Sequence, residues 1–394
     1  MRLSSLTDRI GGEGADAWDI HIRAVERIRA GDDIILLSIG DPDFDTPADI
    51  VEACVESLHA GNTHYTDLRG EPSLREAIAG RHRRMTGQPV DADNVVVFSG
   101  AQNGLFAAAL CLLDRGDEVI APEPMYVTYE AVIGVSGATL VTVPLLRETG
   151  FHLDPDALAA AVTAKTRAIL LNTPNNPTGA VLRLDELEAV AELCRLHDLW
   201  LISDEVYSTL TFDREHISPC SLPGMAGRTV TVDSVSKSYA MTGWRVGWTV
   251  SPRELVPHLA RLATCMLYGG PGFIQDAAAH ALRHQPEGVA AMREELRARR
   301  DLVCTRLGQL SGIECLWPEA TMFVMLDIRG AGVSAQEFAA GLLERHDVAV
   351  LPADAFGPGA RGHVRISLSA SQEQLAEACE RIAAYVGELD RQRD

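Results

Sequence analysis

The sequence predicts an α/β protein in two parts: a large domain with a mostly parallel central sheet flanked by helices, and a smaller α+β domain. Three observations carry this expectation. Short β-branched runs alternate with helical patterns from about residue 46 to residue 286, the spacing of βαβ units. Most of these runs are apolar on both faces, as in a sheet covered by helices on both sides. After about residue 287 the texture changes to a long charged helix, a few strands and an amphipathic C-terminal helix.

Taken in order, the first dozen residues, ending in Gly11, Gly12 and Gly14, read as a mobile arm. A helix is expected from about Asp16 to Ala30, ended by Gly31. ILLSIGDPDFDTP then carries a strand into a loop punctuated by Pro42 and Pro47. The expected strands of the large sheet are NVVVF (94–98), DEVIA (117–121), ATLVTV (138–143), RAILL (167–171), LWLIS (199–203), TVTVD (229–233) and RVGWTV (245–250). The smaller domain follows with a charged helix over 288–307, MFVMLDI (322–328), a helix near 334–346, VAVLP, HVRISLS and a final helix over 371–388. The N-terminal helix is expected to return to this domain. The expected division is therefore 1–45 as arm and joining helix, 46–286 as the large domain and 287–394 as the small one.

Composition mainly excludes. The 394 residues are 46% hydrophobic and 23% charged, a globular balance. A formal net charge of −20 disfavours nucleic acid and anionic membrane surfaces as partners. The eight cysteines (54, 111, 194, 220, 265, 304, 315 and 379) form no CxxC pair or cluster, which reads as reduced thiols. MRLSSLTDRI lacks the apolar stretch of a signal peptide, and no segment is apolar for long enough to span a bilayer. A cytoplasmic protein is expected.

The segment SVSKSYAMTGWRVG (234–247) carries a single lysine, Lys237, in a Ser/Thr/Gly-rich loop between two apolar strands. A lysine becomes a covalent catalyst when its surroundings lower its pKa, because the neutral amine condenses with carbonyls. Arg245 and the hydroxyls of Ser234 and Ser236 suit a phosphate dianion, which charge-assisted hydrogen bonds hold well. An isolated lysine of this kind is usually a surface-loop residue; the neighbouring motifs reverse that. In LISDEVYS (201–208) a strand ends in Asp204 and Glu205, with Tyr207 just beyond. The carboxyl ends of such strands border the ligand crevice of open α/β folds. Asp204 there either pairs with a protonated ring nitrogen or caps the following turn; Glu205 reads as structural. NTPNNPTGA (172–180) is a rigid loop that projects Asn176 at a fixed angle, although NPTG alone is commonly just a turn.

NNPTG, SDEVY and SVSKSYAMTGWRVG, in this order and spacing, resemble class I aminotransferases of fold type I. GDPDFDTP, HYTDLRG and GHVRISLS extend the resemblance over nearly the whole chain. Each motif is weak alone; together they are highly specific. The resemblance implies the cofactor pyridoxal 5′-phosphate, held covalently by Lys237, with Asp204 at its ring nitrogen and Tyr207 and Asn176 at its ring hydroxyl. Ser234, Ser236 and Arg245 match the phosphate site. The turn SGAQNG opens a helix, whose N-terminal amides bind phosphate readily, so Gly100, Ala101 and Gln102 are expected to complete that site. Tyr126 matches the aromatic that stacks on the ring, and Arg365 the arginine that grips the substrate α-carboxylate near Gly40. Tyr65 matches a tyrosine that reaches the neighbouring subunit's phosphate, implying a homodimer with shared sites. The bland rivals are core packing for Tyr126 and a strand-end charge for Arg365.

DAWDIHIRA, EPMYVTYEAV, CMLYGGPGFIQDAA and SAQEFA resemble the bacterial arginine–pyruvate transaminases in particular. That resemblance implies L-arginine as amino donor and pyruvate as the 2-oxo acid acceptor. Aspartate-specific relatives of the subgroup carry a lysine in the phosphate turn where this chain has Ala101. A guanidinium needs a carboxylate partner, and Glu13, Asp16 and Asp19 are candidates; helix N-terminal charge explains all three equally well. The alternatives are aspartate, aromatic or neutral amino donors, a lyase or cyclase reaction on the same fold, and a non-catalytic regulatory relative. GPGARG (357–362) fits GxGxxG but leads into a strand, not a helix, so it fails the dinucleotide context. His280 and His284 lack the third ligand a metal site needs.

Overall fold

The structure is a computed structural model that describes residues 1–10, 18–284 and 287–393. After a helix at Asp19–Ala30, strand β1 (Ile35–Leu36) leads into the large sheet. That sheet comprises β2 (Val95–Phe98), β3 (Glu118–Glu123), β4 (Thr139–Pro144), β5 (Thr166–Asn172), β6 (Trp200–Asp204), β7 (Thr229–Ser234) and β8 (Gly247–Val250). Its spatial order is β2-β8-β7-β6-β5-β3-β4, and only β8 runs against its neighbours. Strands β2, β7 and β8 are buried throughout, which is why their sequences read as continuous apolar runs rather than alternating ones.

The C-terminal region adds β9 (Glu314–Leu316), β10 (Phe323–Asp327), β11 (Val348–Ala349), β12 (Leu351–Pro352) and β13 (His363–Ser367). Strands β12-β13-β10-β9 form an antiparallel sheet, while β11 pairs in parallel with β1. One core gathers Ile20 and Ala24 of the N-terminal helix with Leu296, Phe323, Phe338, Leu342, Ile366 and Leu375. Burying one such Ile or Leu stabilises by about 1.5–3 kcal/mol, enough to fix the N-terminal helix onto this region. Separate cores lie on the large sheet: Val96, Leu105 and Val232 belong to one, Ile120, Ile169 and Leu201 to another.

Several expected boundaries shift, each for a physical reason. The strand expected from Arg245 begins at Gly247, because Arg245 adopts φ +54°, a left-handed turn conformation that no strand contains. The strand expected from Met322 begins at Phe323, after Thr321 at φ +75°. VAVLP is two strands in two sheets, one paired with β1 and one with β13. The arm is not wholly irregular: Leu6–Arg9 forms a helical turn, and Arg9 Nε donates to the Gly134 carbonyl at 2.9 Å. The N-terminal helix is described from Asp19; its expected start at Asp16 lies outside the described residues.

Candidate active site

Three adjacent parallel strands end together. Asn172 of β5 stands in register with Asp204 of β6, and β6 pairs with β7, which ends at Ser234. The segments leaving these ends carry Asn176, Tyr207 and Lys237. The carboxyl edge of an open parallel sheet is where such folds form a ligand crevice. Here it opens a cavity of about 340 Å³, closed on its other side by Gly40 and by Arg365 of β13.

Lys237 and Asp204 both line this cavity. Lys237 Nζ donates to the Gly40 carbonyl at 2.5 Å. Its pKa is lowered to about 8, chiefly by burial; the charge of Asp41 opposes the shift, and Arg365 and Arg245 add to it. Asp204 is pushed up to about 7, again chiefly by burial. The Tyr129 hydroxyl donates to its Oδ2 at 2.7 Å, and the Val206 amide donates to Oδ1 at 3.3 Å. Asp204 therefore does cap the following turn, with one oxygen, and still faces the cavity. Glu205 points away and is satisfied by Ser203 and Ser218, which donate at 2.9 and 2.8 Å, and by His216 Nε2 at 2.9 Å.

Asn176 and Tyr207 both line the cavity, and burial holds the Tyr207 hydroxyl well above its ordinary pKa. Arg365 Nη1 donates to Asn176 Oδ1 at 2.9 Å and Nη2 to the Ser38 carbonyl at 3.1 Å; Nε is buried without a partner. The guanidinium lies over the Phe323 and Phe356 rings, 4.1 and 4.9 Å from their centroids. Burial lowers its pKa to about 10, which leaves it cationic at neutral pH. Gly40 is required where it is: a Cβ there would fall 2.3 Å from Phe323 Cζ.

A second cluster surrounds the helix Ala101–Leu112, whose cap Gly100 has φ +83°. Its free N-terminal amides adjoin Arg245, since a Cβ at Gly100 would meet Arg245 Nη2 at 2.3 Å. Gly247 closes the turn from the other side; a Cβ there would lie 2.4 Å from the Ala101 amide nitrogen. Arg245 Nη1 donates to the Thr242 carbonyl at 2.9 Å. Ala101, Gln102, Ser234, Ser236 and Arg245 all line the cavity, as does Tyr126, whose pKa burial raises.

The cavity thus gathers Gly40, Ala101, Gln102, Tyr126, Asn176, Asp204, Tyr207, Ser234, Ser236, Lys237, Arg245 and Arg365, with Gly100 at its edge. Tyr65 is not among its lining residues. It is 86% exposed, packs edge-to-face on Tyr268 at 5.2 Å, and borders a separate surface groove. Asp19 is exposed on the first turn of its helix, while Glu13 and Asp16 lie outside the described residues. Sequence reasoning missed Tyr129 and Asn172. Tyr129 opens a short helix one turn after Tyr126, and the two rings meet edge to face at 5.8 Å. Asn172 accepts from the Asn176 amide at 2.8 Å and donates to the Asp204 carbonyl at 3.1 Å, tying two of the strand ends together. It also missed Trp18 and Asp41, which line the cavity. GPGARG runs through 3₁₀ turns into β13, and His280 lies 3.0 Å from Asp49. Among the described residues no group of three or more His, Cys, Asp or Glu is set to hold a metal, and no helix is long and apolar enough to cross a membrane.

Comparison with known proteins agrees with this geometry. An arginine–pyruvate transaminase of Pseudomonas aeruginosa is 58% identical over 389 residues, 99% of each chain. An aspartate aminotransferase of Pyrococcus horikoshii is 37% identical over 359 residues, 91% of this chain and 92% of that one. The structure of Thermus thermophilus aspartate aminotransferase with maleate superimposes with a TM-score of 0.93 at 36% identity, covering 98% of this chain and all of the other. Residues 32–382 match the family model described as aminotransferase class I and II, and the chain is a member of that family.

Proposed function

We propose that this transaminase depends on pyridoxal 5′-phosphate, takes the α-amino group of L-arginine and passes it to pyruvate. The observation that carries the reading is the 58% identity, over 99% of both chains, with the arginine–pyruvate transaminase. The cavity's donor set fits the cofactor. An amine and a buried carboxylate line one cavity, and a helix N-terminus, two serines and an arginine surround a pocket edge too tight for any Cβ at Gly100 or Gly247.

Pyridoxal phosphate, when bound, supplies a carbonyl that condenses with amines and a protonated ring that stores an electron pair. In this reading Lys237 anchors it and Asp204 keeps the ring nitrogen protonated, steadied by Tyr129. Asn176 and Tyr207 hold the ring hydroxyl, and Tyr126 packs on the ring face. Ser234, Ser236, Arg245 and the amides of Gly100, Ala101 and Gln102 hold the phosphate. Arg365 grips the substrate α-carboxylate with two parallel N–H donors beside Gly40. Lys237 Nζ takes the proton from the substrate Cα as general base and later returns one.

The side-chain end of the cavity suits a cation. Among the described residues its lining cations are Lys237, Arg245 and Arg365, all committed elsewhere in this reading, which leaves none of these for a second carboxylate. Asp41 and Trp18 line it too, and a guanidinium pairs with a carboxylate and stacks on an indole. The same reading includes a homodimer, in which exposed Tyr65 reaches the partner's phosphate site, and a reducing cytoplasmic setting for the free cysteines. It also divides the chain at about residues 45 and 286. A single-turnover test decides the donor: arginine bleaches the visible absorbance of the loaded enzyme and pyruvate restores it. Rapid bleaching by aspartate or phenylalanine with arginine inert overturns the specificity.

A further inference from the structure

Outside the cavity lining lies a buried ion pair that the proposed chemistry does not use. Arg81 extends from the helix Pro72–Thr86, and its guanidinium is nine-tenths buried. One nitrogen, Nη2, donates to Asp233 Oδ2 and to Ser208 Oγ, both at 3.1 Å. Asp233 spends its other oxygen on the Ser234 amide, which donates to Oδ1 at 2.7 Å. Ser208 belongs to the turn that leaves β6 through Asp204 and Tyr207, and Ser234 begins the segment that leads to Lys237. A second contact joins the same two segments, where Thr209 Oγ1 donates to Ser238 Oγ at 2.7 Å.

We propose that Arg81 is a positioning residue for transamination: it clasps the segment bearing Lys237 to the turn bearing Asp204 and Tyr207, and so fixes the amine relative to the carboxylate. The argument is geometric. Lys237 and Asp204 lie on different strand ends, and the register of β6 with β7 fixes those strands only as far as Asp204 and Val232. Past the Glu205 amide, which donates to the Val232 carbonyl, the β6 segment turns away while β7 runs on to Ser234 paired with β8, so side chains make the further contacts between the two segments. A buried ion pair is a poor source of net stability, because desolvating two charges consumes most of their attraction. Its directional geometry is what it contributes here. Glu205, the nearest other buried carboxylate on the β6 turn, is already satisfied by Ser203, Ser218 and His216 and needs no share of Arg81.

The inference rests on the reading of Lys237 and Asp204 as the cofactor-holding pair. It is tested on the loaded enzyme with three variants, by kcat and KM for the amino donor and by the visible circular dichroism of bound pyridoxal phosphate, which reports ring orientation. Ser208→Ala removes one arm of the clasp and leaves the ion pair whole. Arg81→Met combined with Asp233→Asn removes the clasp without stranding a charge. Arg81→Lys keeps a cation able to donate to both partners. Small misplacements of reacting groups cost up to about 100-fold in rate. The double variant is therefore expected to lose about 10- to 100-fold in kcat, and Ser208→Ala about 3-fold, with altered dichroism and KM within about 2-fold. Arg81→Lys is expected to retain most of kcat. Parental kcat and dichroism in Ser208→Ala and in the double variant overturn the proposal; if the double variant does not fold, Ser208→Ala alone decides. A parent protein that carries no cofactor overturns the proposed function and this inference with it, whereas a loaded parent with unchanged variants overturns the inference alone.

Discussion

Lys237 and Asp204 approach each other in acidity from opposite directions, to about 8 and about 7, and burial is the first cause of both shifts. Only the neutral amine condenses with a carbonyl, so the rate at which the cofactor-free protein takes up pyridoxal phosphate should rise with pH through a limb near 8. Asp41 raises the pKa of Lys237, so Asp41→Asn should move that limb to lower pH. It should also raise KM for arginine more than for alanine; an unmoved limb would count against the electrostatic account. Asp204 gives a stability test in the cofactor-free protein. Its folded pKa lies above its unfolded value of 3.8, so the folded state holds a proton that the unfolded chain releases. The penalty begins as pH rises past about 4, is complete above about 7, and is on the order of 4 kcal/mol. Apo Asp204→Asn should therefore melt at a higher temperature than the parent at pH 8, the gap closing near pH 4. Equal melting at both pH values would mean that Asp204 is well solvated.

At the scale of elements, one tight constraint lies where β8 meets the start of the helix Ala101–Leu112. Gly247→Ala would push a Cβ against the Ala101 amide and the Gly100 backbone, neither of which is the end of a flexible side chain. Overpacking of this kind costs about 1–3 kcal/mol, and here it also displaces the amides proposed to hold phosphate. The expected result is a modest fall in Tm with at least a tenfold weaker hold on pyridoxal phosphate, measured by equilibrium dialysis. The large-sheet strands were legible because buried parallel strands are apolar on both faces, and that pattern needs no partner to be read. Arg245 was misread as strand because Val246, Trp248 and Val250 continue the apolar run. Its left-handed backbone belongs to the turn that brings its guanidinium against Gly100, a tertiary fact absent from local pattern. VAVLP looked like one strand for the same reason: nothing in five apolar-to-proline residues marks a change of sheet at Val350.

Across the whole molecule, the cavity draws on the N-terminal segment at Gly40, three strand ends of the large sheet and β13 of the C-terminal sheet. Residues sitting inside distinctive motifs, such as Lys237, Asp204, Asn176 and Arg365, were legible because the motif set is dense and ordered. Tyr129, Asn172 and Arg81 were not, because their roles depend on register and on helix placement, which bring partners together from 32 to 152 positions away. The specificity end was legible only through resemblance; Asp41, which lines the cavity, joins Glu13, Asp16 and Asp19 as a candidate carboxylate. The central claim is that one buried amine anchors the cofactor opposite Asp204. Borohydride reduction of the loaded enzyme, followed by digestion and mass mapping, tests it most directly. A pyridoxyl phosphate adduct on the peptide containing Lys237, and on no other, is the expected result; an adduct on Lys165, or none, would contradict it.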